Sequence, residues 1–199
     1  PSPAGHAPEL LRRLAEQLYL LDIAHTDLTE NRPLDAFLSI EARIETKWER
    51  QHAVEFFHQL VGMYQQWGKN RRMQLQCLSD QQADSDHLRY LTAVSGFGAY
   101  SILRPEAGLH VLETPKGEQK AFSRSRVRVR ITPQPDTYAR NHREIVRFAE
   151  QALARLDDGA PAVVRRYRVK PSPLVRDSVR NWRTGRLDRV LAGDFDLIT

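Results

Sequence analysis

The feature that most constrains this chain is the run from Ser123 to Ile131, in which arginine alternates with small or aliphatic residues. Side chains of a strand point alternately to opposite faces, so the arginines would project to one side about 7 Å apart while the aliphatic residues enter a core. The arginines are Arg124, Arg126, Arg128 and Arg130. The run therefore predicts a long strand with one strongly basic face.

A second basic run, Val163 to Lys170, is also predicted to be extended. Here Arg166, Arg168 and Lys170 share a face with Val164. If the two strands lie in one sheet with these faces aligned, seven cations form a patch suited to phosphates.

Two interpretations of these strands stay open. The arginines contact nucleic acid, or they form a solvated face that pairs with Glu144, Glu150 or Asp157 of the helix predicted next along the chain. Only Tyr167 is aromatic among the cations, so phosphate or shape recognition is favoured over base stacking.

The rest of the chain indicates an α+β fold, a mixed β-sheet backed by helices. Apolar residues at helical spacing predict helices over 8–24, 46–68 and 145–156, and a short one over 187–192 that ends at Gly193. The first helix carries a stripe of Leu10, Leu11, Leu14, Leu18, Leu21 and Ala24. Short strands are predicted at 37–40, 73–78 and 88–94, and the polar segments 25–35 and 79–87 are predicted to be loops.

Composition narrows the function classes. No apolar run is long enough to cross a bilayer, and the first residues lack the apolar core of a signal peptide. The single cysteine, Cys77, excludes an internal disulfide and suits a reducing compartment, so we expect a soluble cytoplasmic protein without membrane contact. The net charge of +5 is compatible with a polyanionic partner.

No catalytic or cofactor site is predicted. The seven histidines are scattered, and His52 and His58 are too far apart to share a helix face well. Asp194 and Asp196 by themselves allow either a cation site or a structural role. Among the three tryptophans, only Trp182 is a candidate for an exposed stacking surface, and no metal or cofactor is expected.

One pattern in the hairpin is more specific. It reads Gly-x-Gly-Ala-Tyr from Gly96 to Tyr100, and then Glu106, Gly108, Leu109 and His110. This pattern resembles the anticodon-mimicking domain of bacterial class-one peptide chain release factors.

The resemblance extends upstream over 34–42 and 53–69 and downstream over 174–198, where Asp177, Thr184, Gly185, Gly193 and Asp194 match without gaps. It implies the composite codon-recognition domain of that family over residues 33–199. An N-terminal helix and linker would occupy 1–32.

The chain departs from the family where the family carries its chemistry. Hydrolysis of peptidyl-tRNA in these factors depends on a Gly-Gly-Gln tripeptide, in a domain inserted after the strand that corresponds to Arg124–Pro133. Here about 30 residues follow with one helix, over about 138–158, and the sequence holds no Gly-Gly pair. The triplet Gly117-Glu118-Gln119 lies in the hairpin loop and is interpreted as a turn.

The chain also departs from the family in the segments that read stop codons. The glycine-rich turn that opens the family's long helix is absent from residues 42–53, and the family's His-Thr-Ser is replaced by Ser123-Arg124-Ser125. The multi-helix N-terminal domain is represented by one helix.

The leading hypothesis is a non-enzymatic, release-factor-like protein that binds the ribosome or another structured RNA in translation, through its hairpin and second basic strand. The residues expected to contact RNA are Lys116, Lys120, Arg124, Arg126, Arg128, Arg130, Arg166, Arg168 and Lys170. The alternative is a protein-interaction module that uses the same scaffold to bind an acidic protein partner or another translation factor. The sequence leaves the oligomeric state open.

Overall fold

The structure is a computed structural model that describes residues 7–44, 50–81, 86–115, 122–156 and 159–197. Its elements are α1 (Ala7–Thr29), β1 (Ala36–Arg43), α2 (Arg50–Asn70), β2 (Gln74–Gln81), β3 (His87–Ser95), α3 (Ala99–Leu103), β4 (Gly108–Pro115), β5 (Phe122–Pro133), α4 (His142–Ala154), β6 (Val163–Arg168), β7 (Leu174–Asp177), β8 (Trp182–Thr184) and α5 (Leu187–Arg189). A wider helical turn, Val190–Asp194, continues α5.

The eight strands form one sheet in the order β2-β3-β1-β5-β4-β6-β7-β8. Every neighbouring pair is antiparallel except β4 and β6, which are parallel. Because β5 runs antiparallel to β4, it ends at the edge of the sheet where β6 begins, and the connection through α4 passes β4 to place β6 on its other side. The sheet is therefore mixed, and the predicted α+β class is confirmed.

The inner face of the sheet packs against α2. Phe56, Phe57, Leu60, Tyr64 and Trp67 recur at three- and four-residue steps and are all buried to about 1% exposure or less. They meet the inward residues of the sheet in the main hydrophobic core. Periodicity predicted this helix over 46–68. Trp48, which belongs to that predicted range, lies outside the described residues.

The outer face is covered over only part of its width. Helix α4 is capped at its N-terminus by Asn141, whose side chain accepts a hydrogen bond from the Glu144 backbone N–H. Its residues Ala149 and Leu153 pack on strands β1 to β3, in a second core with Phe37, Leu78, Leu91 and Ala93. Strands β5, β4, β6, β7 and β8 form the other part of this face, and of the eight arginines that point outward from them four are exposed and four are half-buried.

Several sequence predictions need correction. Helix α1 continues to Thr29 and β2 continues to Gln81, into segments that were predicted to be loops. Strands β7 and β8 were not predicted. The leucine stripe of α1 faces solvent and not the core, because the helix packs on the body through its other side. No helix in the described ranges has both the length and the hydropathy to cross a membrane.

Candidate nucleic-acid interface

Eight arginines project from the outer face of strands β5 to β8, and we call this surface the arginine face. Its members are Arg124, Arg126, Arg128, Arg130, Arg166, Arg168, Arg176 and Arg183. On β5 the residues that alternate with the arginines are buried, as the sequence predicted. They are Ser125, Val127, Val129 and Ile131. Of the seven cations predicted to share a face, six lie on this surface.

Strand register aligns four of these arginines in a row across the sheet. Arg126 pairs with Val111 of β4, Val111 pairs with Arg166, Arg166 with Arg176, and Arg176 with Arg183. Since neighbouring strands lie about 4.8 Å apart, the row spans about 20 Å, close to the distance from Arg124 to Arg130 along β5. The result is a basic surface about 20 Å in each direction.

Arg176 and Arg183 were not predicted from the sequence to belong to this surface. Both lie on strands of four residues or fewer, which give little periodic signal. Arg176 is exposed between buried Val175 and Asp177, but the sequence around it has no apolar alternation that would have indicated this. Phe122, half-exposed at the beginning of β5 and on the same face as Arg124, was also missed as an aromatic residue beside the cations.

Two carboxylates lie among the described residues of this surface and its border. Glu113 Oε1 is 3.8 Å from Arg124 Nε and 3.6 Å from Arg166 Nη1. Glu41 on β1 accepts a hydrogen bond from Arg130 Nη2. Burial by itself would raise the pKa of Glu41, but its hydrogen bonds from Arg130 and Ser39 lower the pKa below its ordinary value.

The predicted pairing of the arginines with the following helix is wrong for the carboxylates that the structure describes. Glu144 pairs with Arg147, its neighbour on α4, and Glu150 pairs with Arg89 of β3. Asp157 lies outside the described residues. Arg126, Arg176 and Arg183 form no ion pair with any residue in the described part of the chain, so they are available to an external anion.

The lysines and the aromatic candidates do not join the arginine face in the predicted way. Lys170 is exposed but follows the end of β6, and Lys116 and Lys120, like Gly117-Glu118-Gln119 between them, lie outside the described residues. Tyr167 points to the opposite face and is buried. Trp182 is also buried, with the Arg165 guanidinium 5.1 Å from its ring, so it is not a stacking surface.

Beneath the arginine face, Arg165 turns inward and is fully buried. Its Nη2 donates to Glu106 Oε1 and to Asp177 Oδ2, both at 2.6 Å. Arg180 also donates to Glu106. Burial alone would raise the pKa of Glu106, but Arg165 and Arg180 lower it to about 2, so this carboxylate stays charged inside the core.

His110 completes this buried cluster. Its Nδ1 lies 3.0 Å from the Tyr167 hydroxyl, and its Nε2 lies 3.1 Å from the Glu106 carbonyl oxygen. Burial lowers the pKa of His110 to about 4, so the ring is neutral at pH 7. The motif residues Glu106 and His110 therefore hold the sheet together and are not exposed to a substrate.

Gly108, between these two motif residues, has a structural reason to be glycine. Its φ of +143° is rare for residues with a side chain, and a Cβ there would lie 2.7 Å from the Ala162 carbonyl oxygen. The motif thus lets β4 pass close to the chain that leads into β6.

The C-terminal aspartates also have structural partners. Asp196 accepts hydrogen bonds from Arg71 Nη2 at 2.7 Å and from the Trp67 indole N–H at 3.1 Å. Asp194 lies 3.6 Å from Arg71 Nη2. In the described part of the chain, no group of three or more histidine, cysteine or acidic side chains is placed to hold a metal ion.

Comparisons with known proteins agree with this architecture. Residues 27–121 match the family model of the PCRF domain. Among solved structures, RF2 of Thermus thermophilus is similar with a TM-score of 0.60 and 18% sequence identity, over 100% of this chain and 76% of that chain. No curated protein matches the sequence significantly. The chain therefore carries a region that matches the PCRF domain family, within a fold similar to that of RF2.

Proposed function

We propose that this protein binds the ribosome or another structured RNA through its arginine face and does not hydrolyse peptidyl-tRNA. The observation that carries the proposal is the imbalance of charge on this surface. Eight arginines extend over five neighbouring strands. Glu113 and Glu41 pair with Arg124, Arg166 and Arg130, whereas Arg126, Arg176 and Arg183 form no ion pair within the described ranges. A continuous cationic surface of this size matches the phosphate backbone of RNA, which supplies most of the affinity of such complexes.

The second part of the proposal rests on the connection between β5 and β6. The family resemblance implies that the hydrolytic Gly-Gly-Gln domain is inserted there. In this protein the connection holds α4, which packs on the outer face of β1 to β3. Without a glutamine delivered to the ester bond, the protein has no evident means of positioning the attacking water.

Salt-dependent binding tests the RNA interaction. Substituting three exposed arginines without ion-pair partners (R126A/R176A/R183A) should weaken co-sedimentation with ribosomes strongly. Each phosphate contact contributes about 0.7 to 0.9 to the slope of log K against log salt, so the slope should fall in magnitude by about 2 to 3. The matched control is K69A/R72A/R143A, which removes three exposed cations outside the arginine face.

The outcomes separate the two candidate partners. Binding in R126A/R176A/R183A that equals the wild type, in affinity and in salt slope, would refute the arginine face as the RNA site. Failure of the wild-type protein to bind ribosomes or RNA at low salt would refute the RNA proposal itself and leave an acidic protein as the partner. Release of formyl-methionine from initiation complexes would refute the non-hydrolytic assignment, and we expect none.

A further inference from the structure

Glu113 places a carboxylate among the cations of the arginine face. It lies on β4 directly opposite Arg124 of β5, so it points outward with the arginines, and its side chain is 20% exposed. Its Oε1 atom is 3.8 Å from Arg124 Nε and 3.6 Å from Arg166 Nη1. Glu113 is therefore placed to contact a molecule that binds these two arginines.

The contacts within the chain leave the acceptor capacity of this carboxylate unused. Both distances are too long for hydrogen bonds, and no other residue in the described ranges donates to Glu113. By contrast, Glu41 at the border of the face accepts hydrogen bonds from Arg130 and Ser39. Since an ionised carboxylate can accept several hydrogen bonds, Glu113 can accept from a donor on a bound molecule.

The chemistry of an RNA strand limits what this donor can be. Phosphates carry negative charge and only acceptors, so Glu113 repels the groups that Arg124 and Arg166 attract. The donor nearest to the phosphates is the 2′-hydroxyl of the ribose that joins two of them. Two arginines that flank one acceptor therefore match the order phosphate, ribose, phosphate along a strand.

We propose that Glu113 accepts a hydrogen bond from a ribose 2′-hydroxyl and thereby makes the arginine face selective for RNA over DNA. This inference rests on the proposed function, because it requires RNA on the arginine face. The wide, shallow minor groove of an RNA duplex displays its 2′-hydroxyls to a broad protein surface, whereas side chains cannot read the deep, narrow major groove. The arginines bind the phosphates of any nucleic acid, and Glu113 distinguishes the sugars.

Two duplexes that differ only at the 2′ position test this assignment at low salt. One is a short RNA duplex, and the other has the same sequence with fluorine in place of every 2′-hydroxyl, which keeps the A-form geometry but cannot donate. The wild type should bind the RNA duplex about tenfold more tightly, the contribution expected of one hydrogen bond to a charged group. E113A should bind the 2′-fluoro duplex more tightly than the wild type does, because a negative charge is lost, and should show no preference between the duplexes.

Two further variants act as controls. E113Q keeps an acceptor oxygen without the charge, so it should retain more of the preference than E113A does. E55A removes an exposed carboxylate from α2, on the other side of the sheet, and should keep the full wild-type preference.

The outcomes distinguish this inference from the proposed function. A wild type that binds both duplexes equally, or an E113A variant that keeps the wild-type preference, overturns the role of Glu113 and leaves the arginine face as the RNA site. A wild type that binds neither duplex refutes the proposed function, and this inference with it.

Discussion

The buried histidine of the family motif should make this protein sensitive to mild acid. His110 is fully buried, and burial lowers its pKa from an ordinary value of 6.5 to about 4, although the nearby Glu106 carboxylate opposes the shift. The folded protein therefore keeps the ring neutral where the unfolded chain already binds a proton. Stability from this group is complete above about pH 6.5 and is lost as the pH falls towards 4.

The size of the effect follows from the two pKa values. At pH 5 the unfolded histidine is almost entirely protonated, whereas the folded one is mostly neutral. Proton linkage between a pKa of 6.5 and one of about 4 gives a loss of about 2 kcal/mol between pH 7 and pH 5. That is a large share of the 5–15 kcal/mol typical of a folded domain.

The perturbation that isolates this effect is H110Q, which keeps polar groups at the site but cannot titrate. Urea unfolding at pH 7 and pH 5 can be followed by the fluorescence of Trp67 and Trp182, both of which are buried. Between the two pH values, the wild type should lose about 2 kcal/mol more of its free energy of unfolding than H110Q does. The absolute stability of H110Q at pH 7 does not affect this comparison.

The control is H58Q, which removes an exposed histidine from α2 and should keep the wild-type pH dependence. If the wild type and H110Q lose the same free energy between pH 7 and pH 5, the reasoning from burial to acid sensitivity is wrong.

Two further substitutions test the packing that supports the arginine face. E106Q should lower the free energy of unfolding in urea at pH 7 by about 3–5 kcal/mol, because it leaves buried Arg165 without one of its two carboxylates. The control E150Q, at a half-exposed ion pair, should lower it by about 1 kcal/mol or less. Equal losses in the two variants would contradict the assigned role of burial. G193A should lower the free energy of unfolding by at least about 1–3 kcal/mol, because residue 193 has φ +90° and its Cβ would lie 2.4 Å from the Trp67 backbone nitrogen. The control G185A should be as stable as the wild type. A G193A variant as stable as the wild type would contradict this backbone geometry.

Local periodicity allowed much of the fold to be predicted from the sequence. The two-residue alternation of β5 correctly placed its four arginines on one face, and the helical spacing from Phe56 to Trp67 correctly predicted the buried side of α2. These predictions succeed because the direction of a side chain relative to its neighbours is set by backbone geometry within one segment. The motif from Gly96 to His110 correctly indicated the relation to release factors, because it is a pattern of the sequence itself and lies within the matched PCRF region.

Only the tertiary structure decided which surface each periodic segment meets. The leucines of α1 have the spacing of a core-facing stripe, yet they face solvent because Leu20 and Ile23 contact the body instead. Strand order brought Arg176 and Arg183, which are 50 and 57 residues from Arg126 in the chain, into line with it. Periodicity fixes the faces of an element, but the partner of each face depends on contacts between residues distant in sequence, which no local pattern encodes.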